Sequence, residues 1–330
     1  MVALCGAGVL LVLLTTTAAA LWYSLGLPGK SYEGPAAPVT SAEADLAQRL
    51  RRHVVAIASE PHNIAHYAAL EKSAAYIEAE LTALGYMPQR QVYDADGRSV
   101  RNIEVVLSPT AATATTQSLI IGAHYDSAGI APGANDNGSG TAAVLELARL
   151  LKDVPLTDKR LRLVLFVNEE PPYDRTPDMG SWRYAKGLEA KGERVAGMLS
   201  LETLGCFSDK PGTQKYPAPF GLVFPDKANF IAFVAMPGSR SFLQQVVGAF
   251  RSHTKFPTVG GTAPDQVAGI GWSDHWAFWQ LGYPAVMVTD TALFRYRDYH
   301  KATDTPDKVD YDKLARITLG LEQTIRDLLR

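Results

Sequence analysis

SLIIGAHYDSAGIAPGANDNGSGTAAVLELARLLKDVPLTDKRLRLVLFVNEE, residues 118–170, decides the fold. It opens on a short apolar run, Ser118 to Gly122, that leads into His124. A loop rich in Gly and Asn follows. Helical spacing of apolar residues then runs from Thr141 to Lys152, and a second apolar run, Leu161 to Val167, leads into Glu169 and Glu170. The alternation continues with a helix over Ser181 to Lys191 and a strand over Val195 to Leu201, ending at Glu202. Continuously apolar strands separated by helices imply βαβ crossovers and a parallel sheet covered on both faces. The expected architecture is α/β: a single domain with a central mixed, mostly parallel sheet flanked by helices.

Upstream, Thr40 and Glu43 have capping-box spacing, and Leu46, Leu50, Val54 and Ile57 follow on one helical face. A second helix is expected through LEKSAAYIEAELTAL, stopped by Gly85. Met87 to Tyr93 and Val100 to Leu107 read as strands joined by a turn at Asp96-Gly97. Downstream come a Pro-rich excursion from Asp209 to Pro225, a strand from Phe230 to Met236 and a helix from Ser239 to His253. A short helix in SDHWAFWQLG, a strand from Ala285 to Val288 and a last helix from Tyr311 to Leu329 complete the reading.

At 330 residues and 47% hydrophobic, the chain can bury one substantial core. A formal net charge of -2 and no basic run leave nothing to suggest nucleic acid as a partner. The two cysteines, Cys5 and Cys206, are poorly placed to pair, so no disulfide framework is expected. Val2 to Tyr23 is apolar apart from Thr15 to Thr17 and is long enough to cross a bilayer. The expected organisation is a membrane anchor or export signal over 1–24, a Pro/Gly-rich linker over 25–40 and one catalytic domain over 41–330. The domain is expected outside the cytoplasm, periplasmic or extracellular.

In open α/β sheets, ligand sites gather beyond the carboxyl ends of the strands. His124, Glu169, Glu170 and Glu202 all fall at such ends, and Asp136 sits in the Gly/Asn loop. With His300 they form the donor set zinc prefers, imidazole and carboxylate. Two ions about 3.5–4 Å apart need two histidines, two terminal carboxylates and one bridging carboxylate. The chain supplies that set and one extra glutamate, placed to act as a general base. Asp126, two residues after His124, is expected to orient the imidazole through its second nitrogen. A lone His after a strand is more often structural, so the ordered ensemble carries the argument. Asp274 and His275 are read as packing near the pocket, and His53, His62, His66 and His253 as structural or exposed.

The segments GAHYDS, PGANDNGSG, LVLFVNEE, SLETLG and YHKATDTPDKVD resemble the metal-ligand motifs of the M28 family of zinc peptidases, from about Asn102 to the C-terminus. The resemblance implies a zinc-exopeptidase fold. It implies that His124 and Glu202 bind one zinc, Glu170 and His300 a second, and that Asp136 bridges them. Glu169 is then the general base, Asp126 supports His124, and the Asp136-Asn137 peptide bond is cis. Position 202 is Glu where many members have Asp. Tyr283, Tyr296 and Tyr299 are candidates for stabilising the oxyanion. The implied activity is that of a zinc-dependent metallo-exopeptidase, an aminopeptidase acting on peptides. The alternatives are a glutaminyl-peptide cyclotransferase with a single zinc, and a non-catalytic, peptidase-like membrane protein.

Overall fold

The protein is described by a computed structural model over residues 15–16, 19 and 21–330. Most of the N-terminal stretch expected to be an anchor or signal lies outside the described residues. Among the described residues no helix is long and apolar enough to cross a membrane.

Helix α1, Ser41–Ile57, starts at the expected capping box. The Thr40 hydroxyl accepts the Glu43 N–H at 3.2 Å, and the Glu43 carboxylate accepts the Thr40 N–H at 2.8 Å. Helix α2, Tyr67–Ala83, ends where Gly85 takes a left-handed φ of 88°. Gly85 and Tyr86 donate to the carbonyls of Thr82 and Leu81, which satisfies groups the helix end leaves open. Strands β1, Gln89–Ala95, and β2, Arg98–Leu107, form the expected hairpin, with Asp96 at φ 50° and Gly97 at φ 71°.

The alternating core follows: β3 (Gln117–His124), α3 (Gly140–Leu150), β4 (Lys159–Phe166), α4 (Gly180–Ala190) and β5 (Val195–Glu202). Then come β6 (Ile231–Ala235), α5 (Arg240–His253), β7 (Thr258–Thr262), α6 (His275–Gln280) and β8 (Ala285–Thr289). A short α7 (Ala292–Arg295) and a long α8 (Tyr311–Leu328) end the chain. The eight strands make one sheet in the order β1-β2-β4-β3-β5-β8-β6-β7. The run β4-β3-β5-β8 is parallel, as is β6-β7, while the β1-β2, β2-β4 and β6-β8 pairs are antiparallel.

Successive side chains of a strand point to opposite faces. Leu119 and Ile121 of β3 join the core formed with α1, α3, α5 and α8, whereas Ile120 packs with Tyr184 of α4 and Phe278 of α6. Covering both faces is what makes β3 apolar on both sides from Leu119 to Ala123. Strand β7 was not expected, because TVGGT reads as a loop. Its glycine at 260 has a packing reason: a Cβ there would lie 2.1 Å from the Phe233 carbonyl oxygen of β6.

Sheet order also explains why distant residues meet. β3 lies between β4 and β5, so His124 at its end is flanked by the segment leaving β4 and by Glu202 at the end of β5. The loop carrying His300 follows β8, the next parallel neighbour.

Candidate metal centre

Four loops at one edge of the sheet bring the expected residues together. His124 Nε2 lies 3.4 Å from Asp136 Oδ1, 3.3 Å from Glu202 Oε2 and 3.6 Å from Glu169 Oε2. His300 Nε2 lies 3.0 Å from Asp136 Oδ2 and 3.2 Å from Glu170 Oε2. Asp136 therefore presents one oxygen to each imidazole. Ligand atoms of His124, Asp136 and Glu170 all lie within 4.8 Å of one another.

His124 Nε2, both carboxylate oxygens of Asp136 and Glu170 Oε1 are buried and make no hydrogen bond. Leaving a buried polar atom unpaired costs about 1–3 kcal/mol. Four such atoms on three residues whose ligand atoms lie within 4.8 Å of one another fit a site for bound cations. Nitrogen and oxygen donors of this kind suit zinc.

The charges in the cluster are strongly coupled. Burial alone would lower the His124 pKa, but the carboxylates of Glu169 and Glu202 raise it well above the usual imidazole range. Burial likewise works against the charged form of His300, yet Asp136 and Glu170 push it up to about 10. Burial raises Glu170 to about 8 and Glu202 to about 7. Glu169 is raised well above the carboxylate range, again chiefly by burial, with Glu202 and Glu170 adding repulsion. Asp136 runs the other way: its two imidazole partners outweigh burial and hold its pKa low. One acid in the middle stays ionised while the acids around it favour the proton.

Asp126 faces the second nitrogen of His124, Oδ1 to Nδ1 3.5 Å, and also makes contacts that the sequence did not suggest. Its carboxylate accepts the backbone N–H groups of Glu169 at 3.1 Å and Glu170 at 3.2 Å. The His124 Nδ1 atom hydrogen-bonds the Asp126 main-chain carbonyl at 3.1 Å, and the carboxylate is farther away at 3.5 Å. Carbonyl and carboxylate of Asp126 both face the imidazole, the carbonyl closer, and the carboxylate also holds the glutamate pair.

Other supports were not singled out from the sequence. Asp304 accepts the N–H groups of Asn135 and Asp136 at 2.9 and 3.1 Å, and Tyr296 donates its hydroxyl to Asp304. Ser273 donates to Glu202 Oε2 at 2.8 Å. Asn137 accepts from the N–H groups of Gly140 and Thr203 and donates to the Leu201 carbonyl, which fixes the Asp136 loop to the end of β5. The Asp136-Asn137 bond is cis, as the resemblance implies. Asn168, Thr203 and His300, at the rim of the cluster, have left-handed φ values of 59°, 54° and 57°, unusual for non-glycine residues.

Of the three tyrosines, Tyr299 stacks on His300 with ring centroids 3.9 Å apart and lines the adjoining cleft. Tyr296 is committed to Asp304, and Tyr283 packs on Phe278. Asp274 is fully buried beside the cluster, with its pKa raised by burial to about 7. His275 donates to or accepts from no site residue; its Nε2 meets the Ile270 carbonyl at 2.6 Å. His53 bonds Glu146 and Tyr76 inside the helical layer, and His253 pairs with Asp327 at the surface.

A cleft of about 910 Å³ opens next to Glu202 and Tyr299. Tyr216, Phe220, Phe224 and Phe294 form part of its wall, and among the described residues Glu202 is the one charged residue along it.

The peptidase family M28 profile matches residues 102–325. The Escherichia coli (strain K12) protein YfbL is 37% identical over 262 residues, covering 76% of this chain and 78% of YfbL. A probable leucine aminopeptidase of Arthroderma otae is 30% identical over 62% of this chain, and the chain spans about half (52%) of that relative's length. Among solved structures, the zinc aminopeptidase BSAP from Bacillus subtilis superposes with a TM-score of 0.67 at 16% identity, over 85% of this chain and 94% of BSAP. Fimbriiglobus ruber glutaminyl cyclase superposes with a TM-score of 0.63 at 19% identity, over 91% of this chain and 98% of the cyclase. At these identities the two structures speak for the fold alone. The profile match and the relationship to YfbL place this chain in peptidase family M28.

Proposed function

We propose that the chain is a zinc-dependent aminopeptidase that removes an apolar N-terminal residue from peptides. The observation that carries the reading is the placement of Asp136, one oxygen toward His124 and the other toward His300, with Glu169 beside them. His124 and Glu202 would hold one zinc, Glu170 and His300 a second, and Asp136 would serve both. Bound zinc would supply Lewis acidity, polarising the scissile carbonyl and acidifying water.

Glu169 is left to move protons. Its carboxyl is buried, which raises its proton affinity; ionised beside bound zinc, the carboxylate would take a proton from the attacking water, then release it to the leaving amine. Tyr299 is placed to donate to the oxyanion, because its ring lies against His300 at the cleft wall. The cleft carries no charge beyond Glu202, which suits an apolar side chain on the amino side of the scissile bond. We also infer that residues 1–24 anchor or export the chain and that the domain works outside the cytoplasm.

Glu169→Gln keeps the shape and removes the base. It should leave zinc bound and lower kcat by at least about 100-fold. Near-normal turnover in that variant would remove Glu169 from the mechanism. Metal analysis of the purified protein should find two zinc ions per chain. A reproducible single ion, with cyclisation of glutaminyl peptides in place of release from aminoacyl anilides, would favour the cyclotransferase.

A further inference from the structure

Residues 23–31 run along the far edge of the sheet, where β7 has no further strand partner. Arg240 of α5 donates to the Tyr23 carbonyl at 2.7 Å, and its guanidinium lies 4.3 Å from the Tyr23 ring centre. Gln244 donates to the Gly26 carbonyl at 3.1 Å. Arg251 donates to the carbonyls of Pro28 and Gly29 at 2.9 and 3.1 Å. The Thr258 N–H of β7 donates to the Ser31 hydroxyl at 2.8 Å. The stretch expected to be a linker is strapped to the domain.

Two glycines are shaped to this strap. A Cβ at Gly261 would come within 2.7 Å of the Ser24 carbonyl oxygen and 2.9 Å of Leu25 Cδ2. A Cβ at Gly248 would meet Pro28 Cγ at 3.3 Å. Leu25 is thereby seated on bare β7 backbone and reaches the wall of the apolar cleft. A second cleft, of about 1220 Å³, lies on its other side. Leu25, Phe224, Val259 and Gly260 line both and form the partition between them. Leu25 is the partition residue that comes from the strap.

We propose that Leu25 is a specificity-determining residue: the strap completes the substrate cleft, and Leu25 sets the size of the side chain the cleft accepts. This rests on the reading that the cleft receives the N-terminal side chain of the substrate. Shortening Leu25 opens the partition and lets a longer side chain pass into the second cleft. Enlarging it closes the apolar cleft further. Side-chain discrimination in a hydrophobic pocket amounts to about 10- to 200-fold for a methylene-sized change.

The test uses the full chain, loaded with zinc, as wild type, Leu25→Ala and Leu25→Phe. The first readout is kcat/KM for leucyl and biphenylalanyl 4-nitroanilides. The second is the affinity of leucinamide and biphenylalaninamide for metal-free protein, which needs no turnover. The biphenylalanyl-to-leucyl ratio should rise about tenfold in Leu25→Ala and fall about tenfold in Leu25→Phe, in both readouts. Gly261→Val, whose side chain would clash with the Ser24 carbonyl and with Leu25 and so displace the strap while residue 25 stays leucine, should change the ratio in the direction of Leu25→Ala. If the wild type cleaves neither anilide, the aminopeptidase reading fails, and the amide ratios still decide the role of Leu25. Ratios that stay within about twofold, shift in the same direction in Leu25→Ala and Leu25→Phe, or cannot be formed because neither amide binds the wild type overturn the proposal.

Discussion

Asp126→Asn separates two accounts of the same residue. From the sequence, the Asp126 carboxylate is expected to orient the His124 ring. In the structure the main-chain carbonyl is the nearer partner of Nδ1, at 3.1 Å against 3.5 Å for the carboxylate, and the carboxylate also accepts the N–H groups of Glu169 and Glu170 at 3.1 and 3.2 Å. Asparagine retains one accepting oxygen and replaces the other with an NH₂ group, which cannot accept. One charge-assisted bond then weakens to a neutral one, and the other N–H is left facing a donor. Bonds to a charged acceptor are worth roughly 1.5–3 kcal/mol, and a buried unpaired N–H costs about 1–3 kcal/mol. The combined loss is about 3 kcal/mol, which for a domain of this size lowers the melting temperature by roughly 5 °C. Losing a residue that positions ligands typically weakens metal binding by about 10- to 100-fold. Competition against a fluorescent zinc chelator measures the affinity, and amide exchange at Glu169 and Glu170 locates the damage. The His124 Nδ1 proton resonance should persist, because the carbonyl that accepts it is unchanged. Wild-type zinc affinity and melting temperature would refute this division of labour. So would loss of the His124 signal with intact protection at Glu169 and Glu170.

Burial leaves Glu169, Glu170 and Glu202 favouring the proton in the metal-free protein, with Glu170 at about 8 and Glu202 at about 7. Zinc binding at pH 7 should therefore release protons, read by calorimetry in buffers of different ionisation enthalpy, and zinc affinity should fall as pH drops. Gly133 has a φ of 72°, and a Cβ there would sit 2.6 Å from the Asp136 carbonyl oxygen, so Gly133→Ala should displace the Asp136 loop and weaken zinc binding by at least about tenfold. Burial would raise the Glu78 pKa, but hydrogen bonds from Arg90 and Arg101 outweigh it and hold it below its ordinary value. A depressed folded-state pKa adds stability that is complete above the unfolded value of about 4.3 and is lost as pH falls through the folded one. Arg101→Met should make urea-unfolding stability fall less steeply between about pH 5 and 3, and an unchanged slope would count against the ion pair.

The parts of the molecule legible in the sequence are those where one signal is enough. The later halves of strands β3, β4 and β5 are largely apolar, because helices cover both faces, and the runs give way to His124, Glu169 and Glu202. That break marks the edge where the core stops and chemistry begins. Strand β7 was hidden because its glycines at 260 and 261 answer to neighbours, the Phe233 carbonyl on one side and Leu25 on the other, which no local pattern announces. Ser273 and Asp304 were missed for the same reason. Ser273 donates to a residue 71 positions away and Asp304 accepts from residues 168 and 169 positions away, and a serine or aspartate in a loop carries no trace of such partners.

The left-handed backbone at Asn168, Thr203 and His300 shows what holds the cluster in place. A β-branched residue such as Thr203 resists φ of 54°, yet its N–H is taken by Asn137 and its carbonyl accepts from the Asp290 N–H. Local preference and final fold disagree at Asn168 and Thr203, which adjoin Glu169 and Glu202, and at His300 itself. Such disagreements survive where surrounding bonds over-determine the geometry. At the sheet edge the requirement is plain: each chain must turn sharply off its strand so that acids and imidazoles face inward at one point. Asn137, Asp304 and Asp126 hold those turns through hydrogen bonds to backbone N–H groups, which keeps Asp136, Glu169 and Glu170 converged although their like charges repel. The rigidity of the cluster thus resides in its supporting amides and carboxylates. Variants of those supports should loosen metal binding while leaving every metal-facing side chain intact.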